Sequence, residues 1–445
     1  MRPTRTRYWL IGFAIVLAVV QYIDRVCISQ VMPDIARDLH LTDGQKGMIF
    51  SAFALAYALF EIPTGWMGDK IGPRKVLVRV VLWWSFFTAA TGWAWNYTSM
   101  WITRFLFGAG EAGCFPNLTK AFSAWLPSLE RTQTQAILWM GARWGGAITP
   151  LLVVMVVSLM SWRQAFLVFA SLGVVWTVVF YFWFRDNPRD HKGVNAAELE
   201  LLKENEQNVQ GHGDVPWRRL VTRRTSWLIW VQYFCLSYGW YFYITWLPEY
   251  LKSVRGMEIK SNPFMGWLAK LLESSMSPAM TVTVLAAALA GIPLLLGGFG
   301  SLTAGAISNL LLRQGADVVR VRRTFAFIGF TGAAALLMTS YYIKDALLAM
   351  LAMGMASFCN DLTMPGSWST CMDVGGKYAG TMSGSMNMMG NLGGVAGPYV
   401  VGKVLEYTGR DWHLTFLISS IIYFLGAICW IWIDPVTPLD KEEKE

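Results

Sequence analysis

The chain has 445 residues, of which 54% are hydrophobic and only 15% are charged, and its mean hydropathy is +0.39. A soluble globular protein carries about 25% charged residues, so this composition excludes a soluble enzyme, a disordered chain and a fibrous protein. The net charge of +8 lies in clusters between apolar, aromatic-rich segments, which argues against nucleic acid as a partner. A lipid bilayer is the expected surrounding.

Twelve segments are each apolar over about 20 residues, the length that an α-helix needs to cross a bilayer. We therefore predict an all-α membrane protein with twelve transmembrane helices. The predicted spans are 9–32, 46–66, 76–95, 99–122, 134–158, 162–184, 227–248, 281–311, 324–342, 345–370, 376–402 and 413–433. The first is not a cleavable signal peptide, because Asp24 and Arg25 interrupt it without a small-residue cleavage site. The long connection 249–280 permits a surface helix or a solvated loop.

The distribution of Lys and Arg predicts the orientation of the chain. If the N terminus lies inside the cell, the inside segments hold 24 basic residues and the outside segments hold 10, so both termini are predicted to be cytoplasmic. We expect two pseudo-symmetric six-helix bundles in a monomeric protein of the cell inner (plasma) membrane. The predicted divisions are a first bundle 1–184, a cytoplasmic linker 185–226, a second bundle 227–434 and a cytoplasmic tail 435–445.

The connection between the second and third spans carries a motif of glycines and charges. Its members are Gly65, Asp69, Lys70, Gly72 and Arg74. The corresponding connection of the second half has Gly305, Asn309 and Gly315 followed by basic residues, which indicates a duplicated bundle with a binding site between the halves. Glycine permits close helix approach, and the charges can form ion pairs that break when the halves rock. We assign the motif a gating role; a basic turn that only fixes topology is the alternative.

Seven charged side chains lie away from the ends of the predicted spans, with Glu61 nearer a membrane face than the other six, and a charge at the bilayer centre costs at least about 2.5–3.5 kcal/mol to insert. They are Asp24, Arg25, Glu61, Arg104, Glu111, Arg143 and Asp361. Charges at this cost are expected to be functional. The alternative, that acids and bases pair only to hold the helices together, stays open, above all for Arg143 and Asp361.

Arg25 and Arg104 form the predicted anion site. They lie at similar depth, about seven and five residues from the outer ends of their spans, so both guanidinium groups can converge on one carboxylate. Tyr22 shares a helix face with Arg25. Glu111 lies on the same face as Arg104 at about 10 Å, a spacing that suits a proton site coupled to an anion site better than a salt bridge.

Further candidates for substrate contacts carry amide, hydroxyl and aromatic groups. They are Tyr57, Trp368, Ser369, Asn387 and Asn391, of which the two asparagines share a helix face. Such groups can bind a substrate, but in membranes they also join helices, and both alternatives stay open.

The chain offers no chemistry for an enzyme or a metal site. Its six cysteines lack a CxxC spacing, its four histidines lie in polar connections or at their edges, and no HExxH or GxSxG motif occurs. We therefore predict no catalytic residues, no metal and no cofactor.

The loop motif resembles the signature of the major facilitator superfamily, and twelve spans with a central linker agree with it. A second set of motifs resembles the anion:cation symporter branch, which includes bacterial galactonate, glucarate and hexuronate proton symporters. These motifs are Tyr22-Ile-Asp24-Arg25, the run from Arg104 through Glu111 to Pro116, and Asn387 with Asn391.

The resemblance implies roles for the charged residues. In proton-coupled members, acids that match Asp24 and Glu111 take protons. An arginine that matches Arg25 contacts the substrate carboxylate, and one that matches Arg104 belongs to the coupling network.

Two residues depart from the family pattern. The family commonly has Gln where this chain has Glu61, and galactonate-type members have a polar amide near Arg143. We therefore expect Arg143 to add a second positive contact to the substrate.

These features predict a secondary active transporter that couples proton entry to uptake of a small organic anion by alternating access. The expected substrate is a sugar acid, that is a hexonate, hexuronate or aldarate, and the alternative is an aromatic acid such as phthalate. An organophosphate:phosphate antiporter is less favoured, because that related branch uses an arginine in span seven and 227–247 contains no basic residue here.

Overall fold

The computed structural model describes residues 2–205, 215–246, 263–274 and 278–439. Throughout these ranges all regular secondary structure is helical. The α-helices are α1 (Arg7–Asp38), α2 (Asp43–Ile71), α3 (Pro73–Gly92), α4 (Tyr97–Glu111), α5 (Cys114–Trp125), α6 (Ser128–Leu159), α7 (Trp162–Trp183), α8 (Ala196–Leu201), α9 (Trp217–Thr222), α10 (Arg224–Thr245), α11 (Pro263–Glu273), α12 (Pro278–Arg313), α13 (Val318–Tyr342), α14 (Ala346–Gly375), α15 (Ala379–Tyr407) and α16 (Trp412–Trp432). We refer to α1–α7 as the first half and to α10–α16 as the second half.

Helical structure coincides with each of the twelve predicted spans, with one correction. The fourth span, predicted as one helix over 99–122, is broken, because α4 ends at Glu111 and α5 begins at Cys114. Pro116 has no N–H with which to continue α4. A Cβ on Gly113 would lie 2.8 Å from Thr64 Cβ, so the chain bends at a point where only glycine fits. Residues 247 and 248 of the seventh predicted span lie outside the described ranges.

Three helices begin with the same N-terminal capping motif at one end of the bundle. Thr42, Asn96 and Ser161 each accept a hydrogen bond from the backbone N–H three residues later, and the side chain of that later residue accepts one in return. These capping boxes satisfy backbone groups that would otherwise lack partners. They fix where α2, α4 and α7 begin.

The surface of the bundle is apolar, and its interior holds polar and charged side chains among the packed apolar ones. Val175 and Phe182 on α7 are 63% and 72% exposed, whereas Gln21, Asp24 and Gln232 are fully buried. Seven helical stretches are long and apolar enough to cross a membrane by length and composition alone, one of them running through α14 and α15. The described helices therefore have the character of an integral membrane protein.

The two halves touch most extensively along two helix pairs, α2 with α15 and α6 with α12. Small residues allow the close approach. A Cβ on Gly65 would lie 2.3 Å from the Gly380 carbonyl oxygen, and a Cβ on Gly305 would lie 2.3 Å from Ala136 Cβ. The glycine of the loop motif thus brings α2 against the backbone of α15.

One end of the bundle holds the first residues, the linker and the last described residues. Arg7 forms ion pairs with Glu130 and Glu198, and Leu439 N–H donates to the Val374 carbonyl. We refer to this end as the linker end. Contacts between the halves concentrate there, where Arg131 pairs with Asp373, Thr132 Oγ1 donates to Ser369 Oγ at 3.0 Å, and Asn309 donates to Gln133. The structure is closed at the linker end.

The long connection before α12 contains the amphipathic helix α11, which decides between the two predicted alternatives for that stretch. Phe264, Trp267 and Leu271 lie on one face of α11 and are 57–60% exposed. The rest of the connection, 247–262 and 275–277, lies outside the described ranges.

Gly65→Val should weaken closure at the linker end, because the added side chain would overlap the backbone of α15. Overpacking costs about 1–3 kcal/mol, enough to shift a two-state equilibrium at least about fivefold. The measurement is disulfide formation between Thr132→Cys and Ser369→Cys in a chain without its six native cysteines. Gly47→Val is the matched control, since a Cβ on Gly47 of the same helix meets no atom within 4 Å. Equal cross-linking in both variants would contradict the prediction.

Candidate functional site

A cavity lies between the two halves, near the middle of the helices. Its lining residues surround about 510 Å³ of empty space, part of which is open to solvent. Its lining residues are Tyr22, Arg25, Tyr57, Phe115, Trp139, Arg143, Tyr233, Leu236, Ser237, Trp240, Tyr241, Asn360, Met364, Asn387 and Asn391. These come from α1, α2, α5 and α6 of the first half and from α10, α14 and α15 of the second. The cavity is aromatic, amide-bearing and basic.

The structure brings together six of the nine predicted substrate contacts in this lining. They are Tyr22, Arg25, Tyr57, Arg143, Asn387 and Asn391. Three others, Arg104, Trp368 and Ser369, lie outside the lining. Helical spacing places residues along one face correctly, but it does not fix the rotation of that face towards the cavity.

Arg25 on the cavity wall is held by Glu111. Its Nε and Nη2 donate to Glu111 Oε1 at 2.9 and 2.5 Å, and Gln21 Nε2 donates to the same oxygen at 2.8 Å. The Glu111 side chain is fully buried, whereas 23% of the Arg25 side chain is exposed. The second Glu111 oxygen, Oε2, makes no hydrogen bond to the described residues. A buried acid therefore occupies the guanidinium group that faces the cavity.

Asp24 and Arg104 lie deeper in the first half than Arg25. Asp24 is fully buried, and neither of its carboxylate oxygens has a hydrogen-bond partner among the described residues. Arg104 Nη1 is likewise without one, and the Arg104 guanidinium lies 4.1 Å from the centre of the Phe107 ring. Unsatisfied buried charge is costly, so these two groups are candidates for a change of protonation or partner.

Arg143 pairs with Asp361 across the two halves. Arg143 Nε and Nη2 donate to the two Asp361 oxygens at 2.7 and 2.9 Å, a fork-to-fork geometry, and both side chains are buried. Asn360 Nδ2 donates to Asp361 at 2.8 Å, and Tyr423 donates to Asn360 at 3.0 Å. The Arg143 guanidinium also lies 4.3 Å from the Trp240 ring centre, so α6 is bound to both α10 and α14 here.

Glu61 makes a second connection between the halves. It is fully buried on α2, and both of its oxygens accept from amides of α15: Oε1 from Asn387, and Oε2 from Asn391 at 3.0 Å. Tyr241 from α10 donates to Asn391 at 3.4 Å. The two asparagines therefore line the cavity and join helices at the same time.

Trp368 and Ser369 support the site from behind. The Trp368 indole N–H donates to Tyr233 Oη at 3.0 Å, and its ring packs against Trp139 at 5.3 Å between centres. Both of these neighbours line the cavity. Ser369 bonds Thr132 on the side facing the linker end. Trp368 therefore positions lining residues rather than forming the wall.

Asp69 of the loop motif contacts the second half through the beginning of α15. Its carboxylate accepts from Gly380 N at 3.0 Å and from Thr381 N and Oγ1 at 2.6 Å each. A carboxylate is favourable at a helix N-terminus, where backbone N–H groups lack other partners. The Asp69 ion pair with Lys120, at 3.6 Å, stays within the first half. Asp69 thus joins the two halves by hydrogen bonds and not by the expected ion pair.

The other motif members shape the first half. Gly72 has φ +88°, and a Cβ there would lie 2.5 Å from an Asp186 oxygen, so only glycine suits this turn. Asp186 also accepts from Arg74 N at 2.8 Å. Lys70 lies 4.8 Å from the Trp66 ring centre.

The sequence interpretation missed Gln21, Tyr233, Ser237 and Trp240. Gln21 stands one helical turn before Arg25 in an apolar run, and that spacing is a pattern that could have revealed it. The three residues of α10 have no such pattern, because the helix is aromatic on every side. Within the described ranges no group of three or more His, Cys, Asp or Glu side chains is arranged to hold a metal ion.

Comparison with known proteins agrees with this architecture. The family model of the Major Facilitator Superfamily matches residues 14–398. The probable sulfoacetate transporter of Cupriavidus necator is 34% identical over 99% of this chain and 97% of its own, and the D-galactonate transporter of Escherichia coli is 27% identical over 97% and 96%. The structure of the proton:xylose symporter bound to 6-bromo-6-deoxy-D-glucose is similar in fold, with a TM-score of 0.71, 12% identity, and 97% of both chains covered.

Glu61→Ala should lower the thermal unfolding midpoint, because it removes the acceptor of the buried Asn387 amide and leaves Asn391 Nδ2 with the Asn387 carbonyl alone. A buried amide without an acceptor costs about 1–3 kcal/mol. Glu61→Gln, which retains one oxygen, should have a smaller effect. The measurement is thermal unfolding of the purified protein, with Glu406→Ala as control, since Glu406 forms only an exposed pair with Lys403. A midpoint for Glu61→Ala as high as for that control would refute the prediction.

Proposed function

The chain belongs to the Major Facilitator Superfamily, and on that basis we propose that it is a proton-coupled symporter for a small organic anion. It is an integral membrane transporter and not an enzyme. We further propose that the linker end is cytoplasmic, that the protein lies in the inner (plasma) membrane with both termini inside, and that it works as a monomer of two six-helix bundles by alternating access.

The contact that carries this proposal is the bond between Arg25 and Glu111. Arg25 faces the cavity with a guanidinium group, the group best suited to a carboxylate, and Glu111 occupies it. A substrate carboxylate and the ionised Glu111 therefore compete for the same donors. A proton on Glu111 weakens its bond to Arg25 and releases Arg25 to the substrate. Anion binding and proton binding are thereby linked at one pair of side chains.

Asp24 supplies the second proton site of the proposal. Its buried carboxylate has no hydrogen-bond partner in the described part of the chain, and Arg104 lies in the same buried layer. An ionised carboxylate in this position has a large desolvation cost, and taking a proton removes that cost. Arg104, away from the cavity wall, then acts in coupling Asp24 to Glu111 rather than as a substrate contact.

The cycle begins from the state that is closed at the linker end. Substrate and protons enter from the opposite end and reach Arg25, Glu111 and Asp24. The loaded cavity carries less uncompensated charge than the half-loaded one, so the halves can close around it and open at the linker end. The Asp69 and Glu61 contacts with α15 must then break.

A sugar acid is the substrate that the lining supports best. The two asparagine amides, Ser237 and the tyrosine hydroxyls offer hydrogen bonds to a polyhydroxylated chain next to the carboxylate site. The relative from Escherichia coli is named as a transporter of such an acid, D-galactonate. The several aromatic rings of the wall favour one alternative, an aromatic carboxylate such as phthalate.

Glu111→Gln should abolish uphill, proton-driven uptake and leave exchange of substrate across the membrane. Glutamine cannot release a proton, but it leaves Arg25 available to the anion. The measurement is uptake of labelled hexonate into proteoliposomes with and without an imposed pH gradient, beside counterflow without a gradient.

The matched control for that experiment is Glu130→Gln, which alters an acid paired with an arginine, Arg7, outside the cavity. Proton-driven uptake should persist in this control. Uphill transport at the wild-type rate in Glu111→Gln would remove Glu111 from the coupling step.

Arg25→Lys should lower uptake at least about tenfold, because an ammonium group cannot reproduce the two parallel hydrogen bonds of a guanidinium. The measurement is initial uptake rate against substrate concentration. Arg163→Lys provides the control, since Arg163 donates only to backbone carbonyls of Gly92 and Ala94 away from the cavity. Wild-type uptake by Arg25→Lys would exclude Arg25 from the carboxylate site.

A further inference from the structure

The cavity wall contains the same arrangement of groups twice. Arg25 is held by Glu111, whose Oε1 also accepts from the Gln21 amide at 2.8 Å. Elsewhere in the cavity wall Arg143 is held by Asp361, whose Oδ1 also accepts from the Asn360 amide at 2.8 Å. Each unit consists of an arginine of the wall, a fully buried acid and an amide that supports the acid.

Arg143 retains hydrogen-bonding capacity towards the cavity. Asp361 occupies Nε and Nη2, and Nη1 makes no hydrogen bond to any residue that the structure describes. The Trp240 and Trp139 rings, at 4.3 and 5.9 Å from the guanidinium, hold it in place but offer no oxygen as an acceptor. A ligand oxygen is therefore the natural partner for the remaining donors.

Tyr22 lies near both units. The Arg25 guanidinium is 5.6 Å from the Tyr22 ring centre, and a Cβ on Gly146, one turn after Arg143 on α6, would lie 2.9 Å from Tyr22 Cδ1. The helices that carry the two arginines thus meet at this tyrosine, and both arginines line the same cavity. A single small molecule in the cavity can reach both.

We infer that the cavity is built for a dianion, with one acidic group on Arg25 and the second on Arg143. The inference rests on the proposed transport of organic anions, and it adds the charge of the substrate and the residue that selects it. In this proposal Asp361 holds Arg143 until the ligand binds, as Glu111 holds Arg25. The ligand class is a small molecule with two carboxylates, or with one carboxylate and one sulfonate.

The test measures binding of matched anions to the purified full-length protein in lipid nanodiscs by calorimetry. Galactarate and galactonate share a six-carbon hydroxylated chain and differ by one carboxylate, and sulfoacetate and acetate differ by one sulfonate. We expect at least one dianion to bind with a Kd at least about tenfold lower than that of its monoanionic partner. This comparison uses the unaltered protein, so it does not depend on the folding of any variant.

Arg143→Gln should remove that preference. The Kd of the dianion should rise at least about tenfold, and that of the monoanion less than about threefold. Arg131→Gln is the matched control, because Arg131 also forms an ion pair between the halves but lies outside the cavity. This control should change both constants in the same proportion. A proportional change of both constants in Arg143→Gln would mean that the residue only joins the halves, which overturns the inference.

The remaining outcomes separate the two proposals. If neither dianion binds the unaltered protein at least about tenfold more tightly than its monoanionic partner, and any of the four anions enters proteoliposomes with protons, the dianion inference fails and the proposed symport stands. If none of the four anions binds or enters, both fail.

Discussion

The interior of this protein is governed by the cost of placing charge among apolar helices, away from bulk water. Glu111 satisfies Arg25, Asp361 satisfies Arg143, and two α15 amides satisfy Glu61. Each of these bonds can be given up only when something else supplies the same charge or the same donors. A substrate anion and a proton are the small species that can do so. The penalty that makes these residues rare in membranes is therefore also what makes them responsive to ligand.

The two arginine pairs differ in what they connect. Arg25 and Glu111 both belong to the first half, so their bond can open without any movement of one half against the other. Arg143 and Asp361 belong to different halves, and their bond must rearrange when the halves rock. The first pair is therefore suited to detect substrate and proton in the resting geometry. The second pair is suited to convert that occupancy into a change at the boundary between the halves.

Much of the fold and of the site could be predicted from the sequence. Hydropathy indicates the length of each span, and helical spacing indicates the depth of a residue in its span and the helix face that it shares with others. The spans, the depth of Arg25 and the shared face of Asn387 and Asn391 all follow from such patterns. The partners do not, since no pattern along one helix tells which face of a distant helix it meets. Arg104 is buried but turns into the first half, away from the cavity. The sequence prediction missed the break between α4 and α5 because the segment is apolar on both sides of it. Gly113 and Pro116 are its only sign in the sequence.

The contacts between the halves are of two kinds, and their positions suggest an order of events. At the linker end, Asp69 is bound by backbone N–H groups and the Thr381 hydroxyl, which can exchange their protein partners for water at a net cost of only about 0.5–1.5 kcal/mol each. Near the middle of the helices, Glu61 and Asp361 have no such substitute until water or ligand enters. Opening at the linker end is therefore limited by the central contacts rather than by the outer ones. In the proposed symport the cavity must therefore be loaded first, and this requirement joins transport of the anion to transport of the proton.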